Sequence, residues 1–459
     1  MRVLEQLIHT AHDLVWGPAM IAAFLGAGLW FTCGSRFFQV RRFGLWQRRT
    51  FCTLFHKGQG AAGGRNISQL QAMTTALAAS LGTGNIVGVA GALILGGPGA
   101  IFWMWVSAFL GMMTSFAENA LGVQYRTRRA DGSYSGGPMG YMERGLGFRW
   151  MAVLFAGCCV LASFGIGNMT QGNSAATALQ SQFGLPPVVC GIVFAGLFAA
   201  VSAGGVTRIA KVTEKLIPFL AIGYLAAGAA VILYHHSRIV PALAEIVSGA
   251  FDWRSAAGGF FGSAMMRALR CGTARGVFSN EAGMGSAVFA HCAAENGNAA
   301  EQGMWGMFEV FTDTIVMCTV TALVILTSGV PFDSATDAAA LSTQAFSGLF
   351  GRAGGILVAA GVTLFAFATL TGWSYFGEQS TIYLFGERAV KPYRILFITL
   401  VFVGCVTKPS LAWELSDLFN GLMAVPNLVA VLSLSGEVFR ILRRYLTPAG
   451  EYEIIRPKR

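Results

Sequence analysis

Charge is what this chain of 459 residues has least of. Only 12% of it is Asp, Glu, Lys or Arg, about half the share of an ordinary soluble domain. No stretch between its apolar runs is long enough for a large soluble domain. The nine cysteines are scattered, with no CxxC pair and only Cys158 and Cys159 adjacent. They read as small buried hydrophobes, which excludes a disulfide framework or a thiolate cluster. The six histidines form no metal-ligand spacing, and His235-His236 falls in a loop. There is no GxxxxGK[ST] and no HExxH, so no nucleotide-hydrolysis or zinc-hydrolase signature is present. Ser279 has no evident His partner for nucleophilic catalysis, and the polar residues are too localised to line a continuous pore. The chain therefore does not read as an enzyme or a channel.

What is abundant is apolar. Residues of the AVILMFWYC set make up 54% and glycine 59 positions, as expected where membrane helices pack closely or break. Apolar stretches of about 18 residues or more, enough to cross a bilayer, recur throughout. Eleven spans are expected near 14–34, 67–96, 99–125, 150–178, 187–205, 214–234, 258–291, 303–328, 354–385, 393–408 and 411–436. The leader MRVLEQLIHTAHD is not strongly basic and no small-residue cleavage pattern follows, so the first span reads as a transmembrane helix.

The net charge of +10 does not point to nucleic acid, because the basic residues sit in short loops on alternate sides of the spans. The 36–65 loop holds Arg36, Arg41, Arg42, Arg48, Arg49, Lys57 and Arg65; other basic loops follow the third, fifth and ninth spans, and the C-terminal tail is basic as well. The opposite loops (GGPG, QSQFGLPP, and 329–353 with only Arg352) are nearly free of Lys and Arg. The positive-inside rule then places the N-terminus outside and the C-terminus in the cytoplasm. HCAAENGNAAEQ, expected inside, departs from the pattern by having no basic residue.

Two spans carry polar, glycine-rich interruptions. The second has Gly82-Thr83-Gly84-Asn85; the seventh has CGTARGVFSNEAGMGS, with Arg275, Ser279, Asn280 and Glu281. Five spans separate their starts, so the second copy enters the membrane inverted. Matching interrupted helices in two halves point to a transporter's midplane site. A helix unwound at 82–85 frees amides suited to a carboxylate and carbonyls suited to Na⁺. The same residues also fit a glycine-lined packing surface, with Gly84, Gly88 and Gly91 as its small face; Asn85 favours the ligand reading. Carbonyls from Gly276 to Ser279 would suit an ammonium, and Arg275 and Glu281 are expected to pair with other helices. Glu118, Asn168, Gln171, Asn173, Glu309, Asp313 and Glu378 are further intramembrane polar groups, of which Gln171 falls mid-span and Glu118 and Glu378 towards cytoplasmic ends. A membrane threonine such as Thr369 is ordinarily satisfied within its own helix.

LGTGNIVGVAGALILGGPGAIFWMWVSAFLGMMTSFAENALGVQYR, ARGVFSNEAGMGSA and FAFATLTGWSYFGEQ together resemble the alanine-or-glycine:cation symporters, from about Asn66 to the last span. The resemblance implies an all-α polytopic protein with the inverted five-plus-five fold of the amino acid–polyamine–cation superfamily, as in the bacterial leucine transporter. It divides the chain into a peripheral helix and basic loop (1–65), a first repeat (66–210, with its last helix and an external loop in 211–257), an inverted second repeat (258–436) and a basic tail (437–459). It implies sodium-coupled import of a small neutral amino acid, alanine or glycine, across a bacterial inner membrane, with Na⁺ as coupling ion and no organic cofactor. Proton coupling in the same fold is the alternative, left open by Ala368 and Lys215. The partners implied are the amino acid, sodium and the lipid bilayer, with no nucleic acid and no signal for oligomeric state. Amides at Thr83, Gly84 and Asn85 would hold the carboxylate, and carbonyls of Gly276, Val277, Phe278 and Ser279 the ammonium. Gln171 would reach the same cavity, while Trp373 and Phe164 would cap it. Sodium would take the carbonyls of Ala78, Leu81 and Phe365 and the Thr369 hydroxyl. Ala368 stands where a hydroxyl residue is expected, which leaves that coordination weaker or completed by water.

Overall fold

A computed structural model describes residues 15–55, 67–128, 132, 134–202, 205–251, 263–295 and 298–447. The leader, Lys57, Arg65, Asn66, the 257/258 boundary and the basic residues at 456–459 lie outside the described residues. Among the described residues, apart from a two-residue hairpin pairing Thr127–Arg128 with Tyr134–Ser135 and a single bridge between Ile67 and Ala294, the regular structure is helical.

Helix α1 (Pro18–Gly34) opens on a proline, whose fixed φ suits a first helical turn. It packs flat on the helix that holds Leu110, where a Cβ at Gly28 would meet Leu110 backbone atoms at 2.8–2.9 Å. The second expected span is broken as its composition demands. Helix α2 (Gln69–Ser80) starts at a capping box: Ser68 Oγ accepts from the Gln71 amide at 3.1 Å, and Gln71 Oε1 accepts from the Ser68 amide at 3.1 Å. It stops at Leu81; a single 3₁₀ turn, Thr83–Asn85, follows, and then α3 (Val87–Gly96). Gly97 (φ +69°) ends α3 and leads into α4 (Gly99–Gln124). Gly99 is required by close approach, since a Cβ there would lie 2.2 Å from the Gly249 carbonyl oxygen.

The next spans are α5 (Arg149–Phe164) running through a π-helical stretch, Gly165–Met169, into α6 (Thr170–Phe183), then α7 (Pro187–Ser202) and α8 (Gly205–Tyr234). Helix α9 (Ile239–Ala250) occupies sequence expected to be an external loop; Ala242, Ile246 and Ala250 recur every fourth residue and are buried. Helix α10 (Ser263–Asn280) and the short α11 (Val288–Cys292) flank the second break. Helix α12 (Ala299–Val310) continues through a second π-helical stretch, Phe311–Cys318, into α13 (Thr319–Ser328).

The 329–353 stretch, also expected to be a loop, contains α14 (Ala338–Phe350). Asp337 caps it by accepting from the Ala340 amide at 2.8 Å, and Leu341, Ser342, Ala345 and Phe346 form its buried face. Helices α15 (Arg352–Phe385), α16 (Val390–Val406) and α17 (Pro409–Ser433) complete the bundle. Part of the expected tail is α18 (Ser435–Leu446), with Val438 and Leu442 buried and Arg440, Arg443 and Arg444 exposed.

Among the described residues seven helices are long and apolar enough to cross a membrane, and Pro18–Gly34, Val87–Gly96 and Pro187–Ser202 are shorter apolar helices. The expected seventh span is not in either group, because α10 carries Arg267, Arg270 and Arg275. The protein is a multi-pass helical membrane protein.

Candidate functional site: two broken helices meeting in the bundle core

The first break is a meeting point of side chains from distant elements. Gly82 is extended (φ −127°, ψ −152°). A Cβ there would lie 2.6 Å from Thr369 Oγ1 on α15 and 3.2 Å from Gln171 Oε1 on α6. The Thr83 amide donates to Gln171 Oε1 at 3.3 Å, and Gln171 Nε2 is anchored on the Ile166 carbonyl at 2.9 Å. That carbonyl belongs to the π-helical stretch, where altered backbone pairing lets an acceptor face inwards. Thr83 Oγ1 is buried and has no hydrogen-bond partner among the described residues. A buried hydroxyl left so costs about 1–3 kcal/mol, a cost that a bound polar ligand would remove.

Thr369 departs from the ordinary behaviour of a membrane threonine. Its hydroxyl donates across the bundle to the Ala78 carbonyl at 3.1 Å instead of turning into its own helix. Thr371, by contrast, bonds the Ala368 carbonyl at 2.6 Å. The approach of α15 to α2 is close because Gly372 faces Ala79, where a Cβ would find Ala79 atoms at 2.9–3.1 Å. Two of the four residues expected around sodium, Ala78 and Thr369, are thus in contact. Leu81 ends α2 one turn after Ala78, and Phe365 lies one turn before Thr369 on α15, both buried.

Asn85 ties the first break to the second. Its Oδ1 accepts from the Gly82 amide at 3.1 Å, closing the 3₁₀ turn. Its Nδ2 donates to Ser279 Oγ at 3.0 Å and to Asp313 Oδ1 at 2.7 Å. Asp313 lies in the second π-helical stretch, and its Oδ2 accepts from Ser279 and Thr314, each at 2.8 Å. No cationic side chain among the described residues pairs with it. A carboxylate buried on neutral donors alone is held against a large desolvation cost, which a bound cation would offset. In the sequence nothing sets Asp313 apart from the other intramembrane polar residues, because its partners Ser279 and Asn85 are 34 and 228 positions away in the chain.

The second break falls later than expected. Gly276, Val277, Phe278 and Ser279 all lie inside α10, and the chain unwinds over 281–287. The reason is in EAGMGS: Glu281 (φ +56°), Gly283 (φ +93°) and Gly285 (φ +76°) take left-handed conformations that a helix does not use. The Val277 carbonyl still accepts the Glu281 amide at 2.8 Å. No backbone amide among the described residues reaches the carbonyls of Phe278 or Ser279, so the free acceptors are at the end of α10.

Buried acids hold this break. Glu118 Oε2 accepts the Gly283 amide at 3.2 Å, and its Oε1 accepts from Asn427, which also bonds the Gly283 carbonyl at 2.9 Å. Glu281 accepts from Ser286 and, at 2.8 Å, from Trp373 Nε1. Trp373 therefore braces the second break from α15, packed against Gly167, where a Cβ would lie 2.2 Å from that of Trp373. Phe164 is not brought to the first break: it stacks on Tyr393 (5.5 Å between centroids) and lies 6.3 Å from Phe397. Glu378 is held by Arg394 at 2.8 and 3.0 Å, as expected of a span end.

Beside the meeting point is a cavity of about 180 Å³ whose lining includes Gly88, Gly91, Asn173, Ser174, Arg275 and Trp413. A Cβ at Gly88 or Gly91 would find nothing within 4 Å. The small face of α3 therefore borders open space, which decides against the packing-seam alternative for these two glycines. Arg275 pairs with Asp417 of α17 at 3.1 Å and lies 5.1 Å from the Trp413 ring, which stacks on Phe278 at 5.0 Å.

The family model of the sodium:alanine symporter family matches residues 1–453. The chain is 42% identical over 439 residues to the sodium/alanine symporter AgcS of Methanococcus maripaludis, covering 94% of this chain and 95% of that one. It is 38% identical to the probable sodium/glutamine symporter GlnT of Bacillus subtilis, covering 97% and 91%. Among solved structures, MhsT in complex with L-phenylalanine superposes with a TM-score of 0.55 at 13% identity, covering 84% of this chain and 99% of that one, a likeness of fold. A cation-coupled amino acid carrier rather than an enzyme, this chain belongs to the sodium:alanine symporter family.

Proposed function

We propose that the protein imports small neutral amino acids, alanine and glycine, with sodium, by alternating access in the inner membrane of a bacterium. The observation that carries this reading is the convergence at Gly82. The unpartnered Thr83 hydroxyl, the Gln171 amide and the Thr369–Ala78 contact all meet at one unwound point. In this reading the amides of Thr83, Gly84 and Asn85 hold the substrate carboxylate, with Gln171 released from Thr83 to reorient toward it. The carbonyls of Phe278 and Ser279, with Gly276 and Val277 behind them, face the ammonium. Ala78, Leu81, Phe365 and Thr369 supply oxygens to sodium, a hard cation that favours such a set. Asp313 adds negative charge next to Asn85, which favours cation entry at the break.

Sodium bridging α2 and α15 would stabilise one state of the bundle, and the Arg275–Asp417 pair with the Phe278–Trp413 stack would close the cavity beside the site. The two broken helices belong to inverted five-helix repeats in 66–257 and 258–436, with 1–65 peripheral, the N-terminus outside and the C-terminus inside. Exclusion of larger side chains would be steric, at about 1–3 kcal/mol per methylene. The second reading, proton coupling, rests on the buried His291, whose Nε2 lies 2.8 Å from Glu309 Oε1.

Uptake by proteoliposomes separates the two. A sodium gradient at equal pH on both sides should concentrate alanine and glycine, and a pH gradient without sodium should not. The opposite pattern would assign coupling to the proton, and uptake of larger amino acids at equal rates would overturn the proposed selectivity.

A further inference from the structure

Where the end of α1 meets α18 there is a second cavity, about 510 Å³, remote in sequence from both breaks. Its lining combines four basic and four apolar side chains, Arg36, Arg41, Arg42 and Arg443 with Phe38, Phe439, Leu442 and Leu446, beside Gly34 and Ser35. Placing basic residues on one side of a membrane needs only charges in a loop. This groove does more, because guanidinium groups about 400 positions apart in the chain are brought to one concavity. Contact between the two segments is direct, since a Cβ at Gly34 would lie 2.1 Å from the Phe439 ring, and Phe31 is 5.9 Å from the same ring.

Among the described residues the acids Glu437 and Glu301 are engaged elsewhere. Residues 31–65 contain no Asp or Glu. Glu437 of α18 accepts from Tyr125 at 2.5 Å, and Glu301 faces Tyr445 and Arg49. Among the described residues no acidic side chain pairs with Arg36, Arg41, Arg42 or Arg443. Next to the groove, Phe37, Val40 and Phe43 are 46%, 58% and 51% exposed, and Leu29 and Trp30 of α1 are exposed as well. Clustered guanidinium groups match phosphate oxygens by bidentate bonding, and the adjoining apolar side chains match acyl chains.

We propose that this groove binds the headgroup of an anionic glycerophospholipid. The phosphate sits among Arg36, Arg42 and Arg443, with Arg41 at its rim, and the acyl chains lie over Phe37, Val40 and Phe43. Bound there, the lipid links α18 to the end of α1.

The test uses the purified full-length protein in detergent, titrated with phosphatidylglycerol or phosphatidylcholine and read by native mass spectrometry and thermal unfolding. Phosphatidylglycerol should be retained and raise the unfolding midpoint; phosphatidylcholine should do neither. Affinity should fall about fivefold for each of Arg36→Gln, Arg42→Gln and Arg443→Gln, the effect expected of one interfacial charge. Alanine binding should be unchanged in each, which also shows that the variants are folded. Glycerol phosphate, which has the phosphate but no acyl chains, should compete at least 100-fold more weakly than the lipid. Equal retention of both lipids, undiminished phosphatidylglycerol binding in all three variants, or competition by glycerol phosphate as effective as the lipid's would each overturn the proposal.

Discussion

Replacing Gly82 by alanine tests the site through a single methyl group. The backbone at Gly82 is extended, a conformation open to alanine, so the change carries no conformational strain of its own. The cost comes from contact. The new methyl would lie 2.6 Å from Thr369 Oγ1, with Gln171 Oε1 next at 3.2 Å. Thr369 must then swing away from the Ala78 carbonyl, breaking the cross-helix contact proposed as half of the sodium site. Overpacking of this kind costs about 1–3 kcal/mol, or roughly 5- to 150-fold in an equilibrium constant. The sodium concentration for half-maximal alanine uptake in proteoliposomes should rise by that factor. Thr369→Ala should raise it too, by removing the hydroxyl. In the Thr369→Ala background the methyl at position 82 loses its nearest obstacle, so adding Gly82→Ala should cost less than about fivefold more. The two changes are coupled, and a double-mutant cycle measures how strongly. Strict additivity, or a loss of alanine affinity with sodium dependence intact, would refute the placement of Thr369 at the ion.

Asp313→Asn keeps the shape but removes the charge beside Asn85 and turns one acceptor oxygen into an NH₂ donor, toward which the Ser279 and Thr314 hydroxyls must turn as acceptors, so sodium affinity measured by uptake should fall about tenfold or more. Glu118→Ala would strand the Gly283 amide and Asn427, each worth about 1–3 kcal/mol; thermal unfolding in detergent should show a marked loss, and Glu118→Gln a smaller one. Asp337→Ala removes the cap of α14 and should cost about 0.5–2 kcal/mol in the same assay. Thr83→Val and Gln171→Ala should weaken alanine binding and leave the half-saturating sodium concentration closer to wild type than Thr369→Ala does.

The first break was legible because GTGN is a local signal: glycine and short polar residues inside an apolar run disfavour helix wherever they occur. The second was legible as an interruption but misplaced by several residues. ARGVF is polar yet helical, whereas Gly283 and Gly285 supply the left-handed backbone that ends the helix. Helices α9 and α14 lie where loops are expected, although the Asp337 cap and the four-residue spacing in α9 carry the signal. Span counting favours long apolar runs and overlooks such short amphipathic pieces. Asp313 depends on the π-helical stretch around it, which shifts its residues relative to an ordinary helix. That shift leaves no mark in hydrophobic periodicity, and the stacking of Phe164 on Tyr393, like the meeting of Asp313 with Asn85, emerges only from tertiary packing.

The central claim is that one unwound point holds both amino acid and sodium, and equilibrium binding tests it most directly. Alanine binding to the purified protein, measured across sodium concentrations, should tighten as sodium rises, and alanine should tighten sodium binding by the same factor, since linkage is reciprocal. Alanine affinity indifferent to sodium, in a protein that still binds alanine, would contradict the account.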